Sequence, residues 1–409
     1  MSKPFANIRI LDFSHVISGP YATELLTMMG ADVIRFERPG GDETRTFCSS
    51  PELLAKGLGS AYLTLNAGKR SVAIDLKRSE SIEMIRRLVP TADVIVENFR
   101  PGTMARLGLG YEDLKQIKPE LVYCSISGYG QDGPERDSPA YDGAIQAASG
   151  IMSLTGHPET GPVRVGFPFS DVATGSAAAL GIAGALYRKL ATGQGQYIDI
   201  AMVDASLSMM SPIVGYWMIG GEVPSRLGNL AWSRRPSSDL FEASDDYLML
   251  VVNREEHLRI FCETIGIGDL PGRPEFATWA LRSHNRAAFK SAINTALAKG
   301  KAVDWERQLK AAGIAVARVA SVDEVISSPQ MAHRDLIIEV EGTVGHEQPI
   351  RVMNAPFKYA FDPCGTTRPP PGCGQHTDEV LGEVGYSSAE IAMLRERGVM
   401  WELTGAPKV

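Results

Sequence analysis

The sequence has few of the residues that build metal centres and disulfide scaffolds. Its 409 residues include five cysteines and seven histidines, and no two cysteines form a CxxC pair. The cysteines are odd in number and widely spaced, which argues against structural zinc and against a disulfide framework. We therefore expect no metal, and free thiols in a reducing cytosol, at Cys48, Cys124, Cys262, Cys364 and Cys373.

An excess of positive charge is absent as well. The chain has 41 Lys and Arg against 48 Asp and Glu, a formal net charge of -7. Nonspecific nucleic-acid binding needs a basic face that neutralises phosphates, so the composition argues against this class of function. A local basic pocket for a phosphorylated small molecule stays compatible with the composition.

Long apolar runs are missing too. The N-terminus, MSKPFANIRILDF, lacks the apolar stretch and small-residue cleavage site of a signal peptide. The most apolar stretch, residues 172–190, is interrupted by Thr174, Ser176 and Arg188, which favours a buried helix over a membrane span. We expect a soluble, cytoplasmic protein without a membrane partner.

The first third of the chain alternates between strand-like and helix-like periods. Helices are predicted over residues 21–29 and 79–88, the second with Ser79 as its N-cap, between short strands at residues 8–13, 33–36, 72–76, 94–97 and 121–126. Strands that alternate with helices over short connections predict a parallel, doubly wound α/β sheet. Ligands of such sheets bind beyond the carboxyl ends of the strands.

The sequence pattern changes after about residue 200. Residues 204–219 are typical of a long helix and residues 220–236 are rich in Gly, Pro and Arg, so we assign 201–238 to a linker. A predicted hairpin over residues 240–252, followed by several helices, indicates a smaller α+β domain over residues 239–325. Two β-rich runs, a proline-rich strip and two helices fill residues 326–409, and the capping box Ser387…Glu390 opens the last helix.

One glycine motif matches a dinucleotide fingerprint by its letters. Gly128, Gly130 and Gly133 form GxGxxG directly after a predicted strand. The fingerprint works only where a helix begins at the glycines, because the helix N-terminus faces the pyrophosphate. Here Pro134 and Pro139 follow in an irregular run, so we interpret the glycines as a turn and do not predict nicotinamide binding.

Asp171 stands at the entrance to the Ala-rich helix. Position alone favours an N-cap, in which the carboxylate accepts a backbone N–H. The same geometry suits chemistry, because the helix dipole keeps the carboxylate ionised and the small residues that follow leave it accessible. An ionised, partly desolvated carboxylate can attack an activated carbonyl and form an acyl-enzyme anhydride. The two roles are compatible.

Basic residues cluster near the ends of the early strands. Arg38, Lys69-Arg70, Lys77, Arg100 and Arg106 all lie close to predicted strand termini. Charge runs are commonly solvated faces, but cations at this edge of a doubly wound sheet also suit the phosphates of a nucleotide. Phe99 and neighbouring aliphatic residues can cover an adenine.

Several motifs, taken in order, resemble those of one family. They are Leu11-Asp-Phe-Ser-His-Val16, Gly30-Ala-Asp-Val-Ile34, Asn66-x-x-Lys69-Arg70-Ser71, Val96-Glu-Asn-Phe99-x-Pro101-Gly102, Ser127-Gly-Tyr-Gly130, Asp171 with Thr174-Gly175, Thr192-Gly-x-Gly195-Gln196 and His376-Thr-Asp-Glu-Val-Leu381. Together they resemble the class III CoA transferases, which include formyl-CoA:oxalate transferase and the carnitine CoA transferases. The resemblance runs nearly end to end.

The resemblance implies a fold, an assembly and a site. It implies an interlocked homodimer and a Rossmann-like large domain, formed by residues 1–200 and completed by 326–409. By position Asp171 matches the family's nucleophile, and Tyr141 lies near the reacting thioester. CoA is implied as a substrate rather than a permanently bound cofactor, with contacts to Ile17, Ser18, Arg38, Ile74, Lys77, Asn98, Phe99, Arg100 and Arg106.

The sequence also departs from the formyl-CoA transferases. Ile17 replaces a Gln, Pro139 replaces a Lys, and a run of glycines over the site is replaced by Ala231-Trp-Ser-Arg234-Arg235. Formyl transfer to oxalate is therefore not favoured. Arg234 and Arg235 can pair with a second carboxylate, which favours a short dicarboxylic acid such as succinate or a C5 analogue. The alternative is that this pair is a solvated part of the linker.

The resemblance implies transfer of CoA through an aspartyl acyl anhydride and then an aspartyl-CoA thioester on Asp171. Backbone N–H groups of the Gly128–Gly133 loop, or of the helix start, are candidate donors to the oxyanions. A racemase of α-methylacyl-CoA, from the same superfamily, is one alternative. It needs an acid–base pair, and Tyr141-Asp142 stands where that enzyme has its His. A non-catalytic CoA-binding module is the other alternative.

Overall fold

The computed structural model describes residues 3–47, 50–366 and 368–401. The chain forms two compact units. The larger comprises residues up to Ile151, Val165–Gly221 and the segment from Pro329 onward, and the smaller comprises Met152–Arg164 and Glu222–Ser328. The smaller unit thus includes residues 152–164, which we had expected in the large domain. They join it through local contacts, because Arg226 donates to the Ser153 carbonyl.

The strands of the described residues are β1 Arg9–Asp12, β2 Asp32–Glu37, β3 Arg70–Ala73, β4 Val94–Glu97, β5 Val122–Ser127, β6 Gly156–His157, β7 Gly161–Pro162, β8 Gln196–Ala201, β9 Leu240–Glu242, β10 Tyr247–Leu250, β11 Val316–Arg318, β12 Ile337–Val340 and β13 Ile350–Met353.

The α-helices are α1 Ser18–Met28, α2 Pro51–Ala55, α3 Ser60–Leu65, α4 Ser79–Leu88, α5 Thr103–Arg106, α6 Tyr111–Leu114, α7 Asp142–Ala148, α8 Ile151–Leu154, α9 Phe169–Thr192, α10 Met202–Met209, α11 Ser211–Gly220, α12 Glu255–Thr264, α13 Trp279–His284, α14 Arg286–Leu297, α15 Ala302–Ala311, α16 Val322–Ile326, α17 Pro329–Arg334, α18 Thr377–Gly382 and α19 Ser388–Glu396. Short 3-10 helices lie at Glu43–Thr46, Val89–Thr91, Leu270–Gly272 and Pro274–Phe276.

A six-stranded parallel sheet forms the centre of the larger unit. Its strand order is β3-β2-β1-β4-β5-β8, which is the order of a Rossmann fold. Ile10 of β1 pairs with Val33 on one side and with Val94 on the other. The strand order reverses between β1 and β4, where the carboxyl ends open a crevice for ligands. The predicted parallel α/β sheet is confirmed.

Helices cover both faces of this sheet. Successive residues of a strand point to opposite faces, so Ile10 and Leu11 belong to different cores. The Leu11 core contains side chains of α4, α18 and α19. The Ile10 core contains side chains of α1 and α9, including Leu26 and Ile182. This double covering explains why the strands read as apolar runs rather than as alternating patterns.

The C-terminal segment attaches to the β3 edge of the sheet. The backbone N–H of Trp401 donates to the Ala73 carbonyl at 3.0 Å. The Arg70 guanidinium is paired with Glu379 at 2.9 Å and with Glu383 at 2.6 Å. The predicted capping box of Ser387 and Glu390 is confirmed at the start of α19.

Helix α9 is the longest helix of the larger unit. By length and apolar composition it is the one helix in the described ranges that could cross a membrane, and half of its most apolar window is buried. Its buried residues, among them Ala178 and Ile182, belong to the Ile10 core. Its other side leaves Leu180, Tyr187 and Leu190 exposed.

Two local predictions are wrong. The long helix expected over residues 204–219 is two helices, α10 and α11, which meet at Met210. Pro212 has no N–H and cannot continue the hydrogen bonding of α10, so a new helix starts around it. Ser79 is the first residue of α4 rather than its N-cap, which is Arg78.

The smaller unit has its own sheet and core. Strands β9, β10 and β11 form an antiparallel sheet in the order β11-β10-β9, and the predicted hairpin is confirmed by the pairing of Leu248 with Phe241. Phe241 and Leu248 are fully buried with residues of α12, α14 and α15.

Four cysteines are free thiols, and Cys48 lies outside the described residues.

Candidate active site

The loop between β5 and α7 lies at the carboxyl edge of the sheet. Strand β5 ends at Ser127, and no helix begins until Asp142. The GxGxxG match therefore lacks the helix that a dinucleotide site needs, as its prolines predicted. The two ends of this loop pack closely, since a methyl group on Gly128 would overlap the Ala140 side chain.

Asp171 lies in the first turn of α9, three residues after the N-cap Pro168. The prediction that Asp171 is itself the N-cap is therefore wrong. The capping carboxylate is that of Asp142, which accepts the N–H of Ser170 at 2.8 Å and the N–H of Asp171 at 3.3 Å. Because Asp142 caps the helix from another segment, the Asp171 side chain is left available for chemistry.

The Asp171 carboxylate is buried next to a second helix start. It accepts hydrogen bonds from the backbone N–H and the hydroxyl of Ser18, the first residue of α1. Burial, and after it the negative charge of Asp142, raise the pKa of Asp171 to about 7 against the opposing effect of the two Ser18 hydrogen bonds. The expectation that the helix dipole keeps this carboxylate ionised is therefore not met at neutral pH, where about half of it is protonated. Above pH 7 it is mostly ionised and, being buried, poorly hydrated, which suits a nucleophile.

Asp171 opens into a cavity of about 270 Å³, which we call the nucleophile cavity. It lies beyond the ends of β1, β4 and β5, where the strand order predicts a ligand site. Tyr141 is 71% exposed at its wall, so its ring is free to contact a ligand. The nucleophile cavity is lined by His15, Val16, Ser18, Asn98, Phe99, Arg100, Pro101, Ile126, Ser127, Gly128, Arg136, Ser138, Pro139, Ala140, Tyr141, Asp142, Asp171 and Met202.

A second cavity of about 370 Å³ adjoins the first, and we call it the aromatic cavity. His15, Val16 and Phe99 line both cavities, so the two are neighbours, and we refer to them together as the groove. Phe13 and Phe36, whose rings stack at 4.4 Å, lie in its wall. Apolar walls with a few charged groups are typical of sites for cofactor-sized ligands.

The structure brings most of the predicted site residues together in this groove. Ser18, Asn98, Phe99, Arg100 and Tyr141 line the nucleophile cavity with Asp171, and Arg38, Ile74 and Lys77 line the aromatic cavity. Two of the predicted CoA contacts fall outside both linings. Ile17 is the N-cap of α1, and Arg106 ends α5 with its Nη2 on the Thr103 hydroxyl at 2.9 Å.

Arg234 and Arg235 belong to the smaller unit, whereas Asp171 belongs to the larger. Arg234 is ion-paired with Glu222 at 2.5 Å. The Arg235 guanidinium lies 4.5 Å from the ring centroid of Trp279. Both arginines thus have partners within their own unit, and their role toward a substrate stays a prediction.

Sequence reasoning missed the turn of His15 and Val16. Val16 has a φ of 64°, in the left-handed region that β-branched residues rarely adopt. Asn98 holds this turn, since it accepts the His15 N–H at 2.8 Å and donates to the His15 carbonyl at 2.8 Å. Asp42 accepts the Val16 N–H at 3.2 Å. Strained backbone at a cavity wall is typical of functional sites, but no residue type in the sequence signals it.

Within the described ranges, no group of three or more His, Cys, Asp or Glu side chains is placed to hold a metal ion. Acidic groups do occur in the groove, but Asp142 and Asp171 face backbone or hydroxyl donors.

Comparison with known proteins identifies the family. The model of CoA-transferase family III matches residues 5–377. The chain is 35% identical over 392 residues to a succinate–glutarate CoA-transferase of Agrobacterium fabrum, covering 93% of this chain and 96% of that one. It is 34% identical over 402 residues to the human succinyl-CoA:glutarate CoA-transferase, covering 97% and 90%.

A solved structure agrees with these sequence matches. The crystal structure of a CAIB/BAIF family protein from Brucella suis is similar with a TM-score of 0.86 and 30% identity, covering 94% of this chain and all of that one. The family model and the curated relatives match nearly the whole chain, so the similarity is not confined to one short segment. The chain belongs to CoA-transferase family III and is a CoA transferase that uses CoA thioesters as substrates.

Proposed function

We propose that this enzyme moves CoA from an acyl-CoA donor to a small dicarboxylic acid, with the Asp171 carboxylate as covalent nucleophile. The observation that carries the proposal is the position of this carboxylate. It is held by Ser18 at the wall of a groove whose outer part has apolar walls and the cations Arg38 and Lys77. One acyl-CoA molecule could then place its thioester carbon beside Asp171 and its nucleotide in the aromatic cavity.

The first half of the reaction exchanges one bond for another on the acyl carbon. An Asp171 carboxylate oxygen attacks the thioester carbonyl, the C–S bond breaks, and CoA leaves as a thiolate, which produces a mixed anhydride. The thiolate then attacks the aspartyl carbonyl, the anhydride C–O bond breaks, and the donor acid leaves as a carboxylate. Asp171 now carries CoA as a thioester.

The second half repeats these steps in reverse. The acceptor carboxylate attacks the aspartyl thioester and releases the thiolate, and the thiolate attacks the acyl carbon of the new anhydride. The product acyl-CoA leaves and the Asp171 carboxylate is restored. The free energy of one thioester is exchanged for that of another, so the cycle balances without ATP.

The oxyanions formed in these steps need hydrogen-bond donors. Two backbone N–H groups of the Gly128–Gly133 loop are already used, since Gly130 donates to the Ser127 hydroxyl at 3.0 Å and Gln131 donates to Asp199 at 2.9 Å. The Ser18 N–H and hydroxyl already donate to the Asp171 carboxylate, so they are placed to stabilise the oxyanion that forms on the aspartyl carbon itself.

Unpaired cations in the groove support binding of CoA phosphates. Among the described residues, Arg38, Lys77 and Arg100 have no carboxylate within 4.0 Å. Guanidinium and ammonium groups without carboxylate partners at a sheet's carboxyl edge match the charge of a nucleotide. Phe13, Phe36 and Ile74 provide the apolar surface that an adenine needs.

The names of the relatives support a dicarboxylic acid, since two of them act between succinate and glutarate. We expect succinyl-CoA to be a better donor than butyryl-CoA by about tenfold or more in kcat/KM, because a charged carboxylate with a cation partner adds a strong hydrogen bond. Initial rates of acyl-CoA formation with glutarate as acceptor measure this ratio.

Arg234→Gln and Arg235→Gln test the proposed partners of the second carboxylate. If these arginines bind the second carboxylate, either variant brings kcat/KM for succinyl-CoA closer to kcat/KM for butyryl-CoA. A clear preference of the parent enzyme for butyryl-CoA would contradict the dicarboxylate proposal, and the assignment as a CoA transferase would stand.

We also propose that the chain works as an interlocked homodimer. Helix α11 has no buried residue, and Ile219 on it is 90% exposed, while Leu180 and Leu190 on α9 are 76% and 85% exposed. A monomer rarely leaves such apolar helix faces to water. We expect sedimentation equilibrium to give twice the chain mass of 44.2 kDa, and Ile219→Glu to weaken the assembly. A concentration-independent monomer mass for the parent chain would overturn this proposal.

A further inference from the structure

Two exposed arginines from different segments meet beside Gly102. Arg106 ends α5, and Arg136 lies in the loop between β5 and α7. A methyl carbon placed on Gly102 would lie 3.3 Å from Nη1 of Arg106 and 3.4 Å from Nη2 of Arg136. Nη1 of Arg106 and Nη2 of Arg136 are therefore at most about 7 Å apart, beside one glycine.

Neither guanidinium is neutralised by the protein. In the described part of the chain, Arg70 and Arg282 are examples of arginines paired with carboxylates at 2.5–2.9 Å, whereas Arg106 and Arg136 have no carboxylate within 4.0 Å. Two like charges at this separation repel each other. Between exposed groups in water this repulsion is weak, and an anion between the two groups would offset it by attracting both.

The place of Arg136 indicates which ligand brings this anion. Arg136 lines the nucleophile cavity together with Arg100, and the carboxyl groups of Asp142 and Asp171 line it too. The lining of this cavity thus has carboxyl groups at the reacting centre and two guanidinium groups on other segments. A ligand with an uncharged thioester and separate phosphate groups matches this distribution of charge.

We propose that Arg106 and Arg136 bind one phosphate group of CoA between them. Charge-assisted N–H···O bonds are about 2.7–2.9 Å long, so one phosphate can accept from both guanidinium groups at their present separation. The 3′-phosphate, a monoester, carries close to two negative charges, and the diphosphate carries about two over its two groups, so either balances two cations, as a single carboxylate does not. The inference rests on the proposed function in that CoA is the ligand of the groove, and it adds Arg136 as a binding residue.

Binding measurements test the proposal without requiring turnover. Isothermal titration calorimetry with the full chain gives the Kd of CoA, dephospho-CoA and pantetheine for the parent, Arg106→Gln, Arg136→Gln and the double variant. We expect each single change to weaken CoA binding about tenfold and to leave pantetheine binding unchanged. Because both groups bind one phosphate, the two changes should not be independent. The fold-change in CoA Kd of the double variant should differ by about threefold or more from the product of the two single fold-changes.

Dephospho-CoA identifies the phosphate. Loss of the Arg136→Gln effect with this ligand assigns the 3′-phosphate, and persistence assigns the diphosphate. Arg87→Gln, the same change at an exposed arginine on α4 paired with Glu83, is the control and should leave all three Kd values unchanged. All variants are surface changes, so melting temperatures should match the parent.

Three results would overturn the proposal. They are an unchanged CoA Kd in Arg136→Gln, an equal loss of pantetheine binding, or a raised KM for the acid acceptor with the CoA Kd unchanged. The last result would assign Arg136 to the carboxylate of the acid. A parent chain that binds CoA through these arginines but transfers none would contradict the proposed function alone.

Discussion

Replacing Asp171 by Asn is expected to reduce CoA transfer by about 10⁴-fold or more, because an amide cannot form the anhydride or the aspartyl thioester. The measurement is transfer of CoA from succinyl-CoA to labelled glutarate, followed by separation of the acyl-CoA products. The Asp171 side chain contributes a reacting oxygen rather than a binding contact, so CoA binding should persist in the variant.

The same variant should be more stable than the parent at basic pH. The pKa of Asp171 is raised to about 7 in the folded state. Between its ordinary value and about 7 the folded state keeps a proton that the unfolded state releases, so the free energy of unfolding decreases as pH rises through this interval. The ionised carboxylate costs on the order of 4 kcal/mol at pH 8, and Asn removes this cost.

Two measurements separate a lost nucleophile from a damaged fold. The melting temperature of Asp171→Asn should exceed that of the parent at pH 8, and the difference should shrink toward pH 4. Mass spectrometry of the parent, incubated with succinyl-CoA and quenched in acid, should find the acyl or CoA adduct on Asp171. Turnover in Asp171→Asn within tenfold of the parent would contradict the mechanism.

Strand positions and their edge could be predicted because they depend on local patterns. Ile10, Val33 and Val94 lie in short apolar runs separated by helices, which predicts parallel strands, and the sheet confirms this. The ends of those strands carry the cations and the Asn98-Phe99 pair that line the groove. The resemblance to a family added Asp171, which local pattern alone could not separate from a helix cap.

Contacts between distant segments could not be predicted in this way. The N-terminal N–H groups of α9 are satisfied by Asp142, which lies 29 residues before Asp171, so no local capping motif appears. The assignment of Asp171 as the cap was wrong for this reason. Likewise, Arg106 and Arg136 are 30 residues apart in sequence and meet only because the loop after β5 returns to Gly102.

Asp142 does more than cap α9, because its charge acts on the nucleophile. Its carboxylate also accepts a hydrogen bond from Gln146 Nε2 at 2.7 Å, so it is held close to the start of α9. After burial, its negative charge is the next cause of the raised pKa of Asp171. The protonated form of Asp171 cannot attack, so kcat/KM of the parent should decrease as pH falls through about 7.

Asp142→Asn should move this acid limb to lower pH by about one unit, because a like charge beside a carboxylate raises its pKa by roughly that amount or more. The amide oxygen of Asn can still accept the N–H groups of Ser170 and Asp171, so the cap is retained. The measurement is kcat/KM for succinyl-CoA from pH 5 to pH 9. Titration of the CoA phosphates affects parent and variant alike and cancels in the difference.

Asp137→Asn makes the same chemical change in the loop before α7, at an exposed carboxylate outside the groove linings, and should leave the midpoint of the limb unchanged. A lower plateau rate in Asp142→Asn with the midpoint still near pH 7 would show that Asp142 only holds the helix start. A downward shift of the midpoint is expected if the two carboxylates interact through their charges, since the cap bonds that Asp142 accepts come from backbone N–H groups and not from the Asp171 carboxyl.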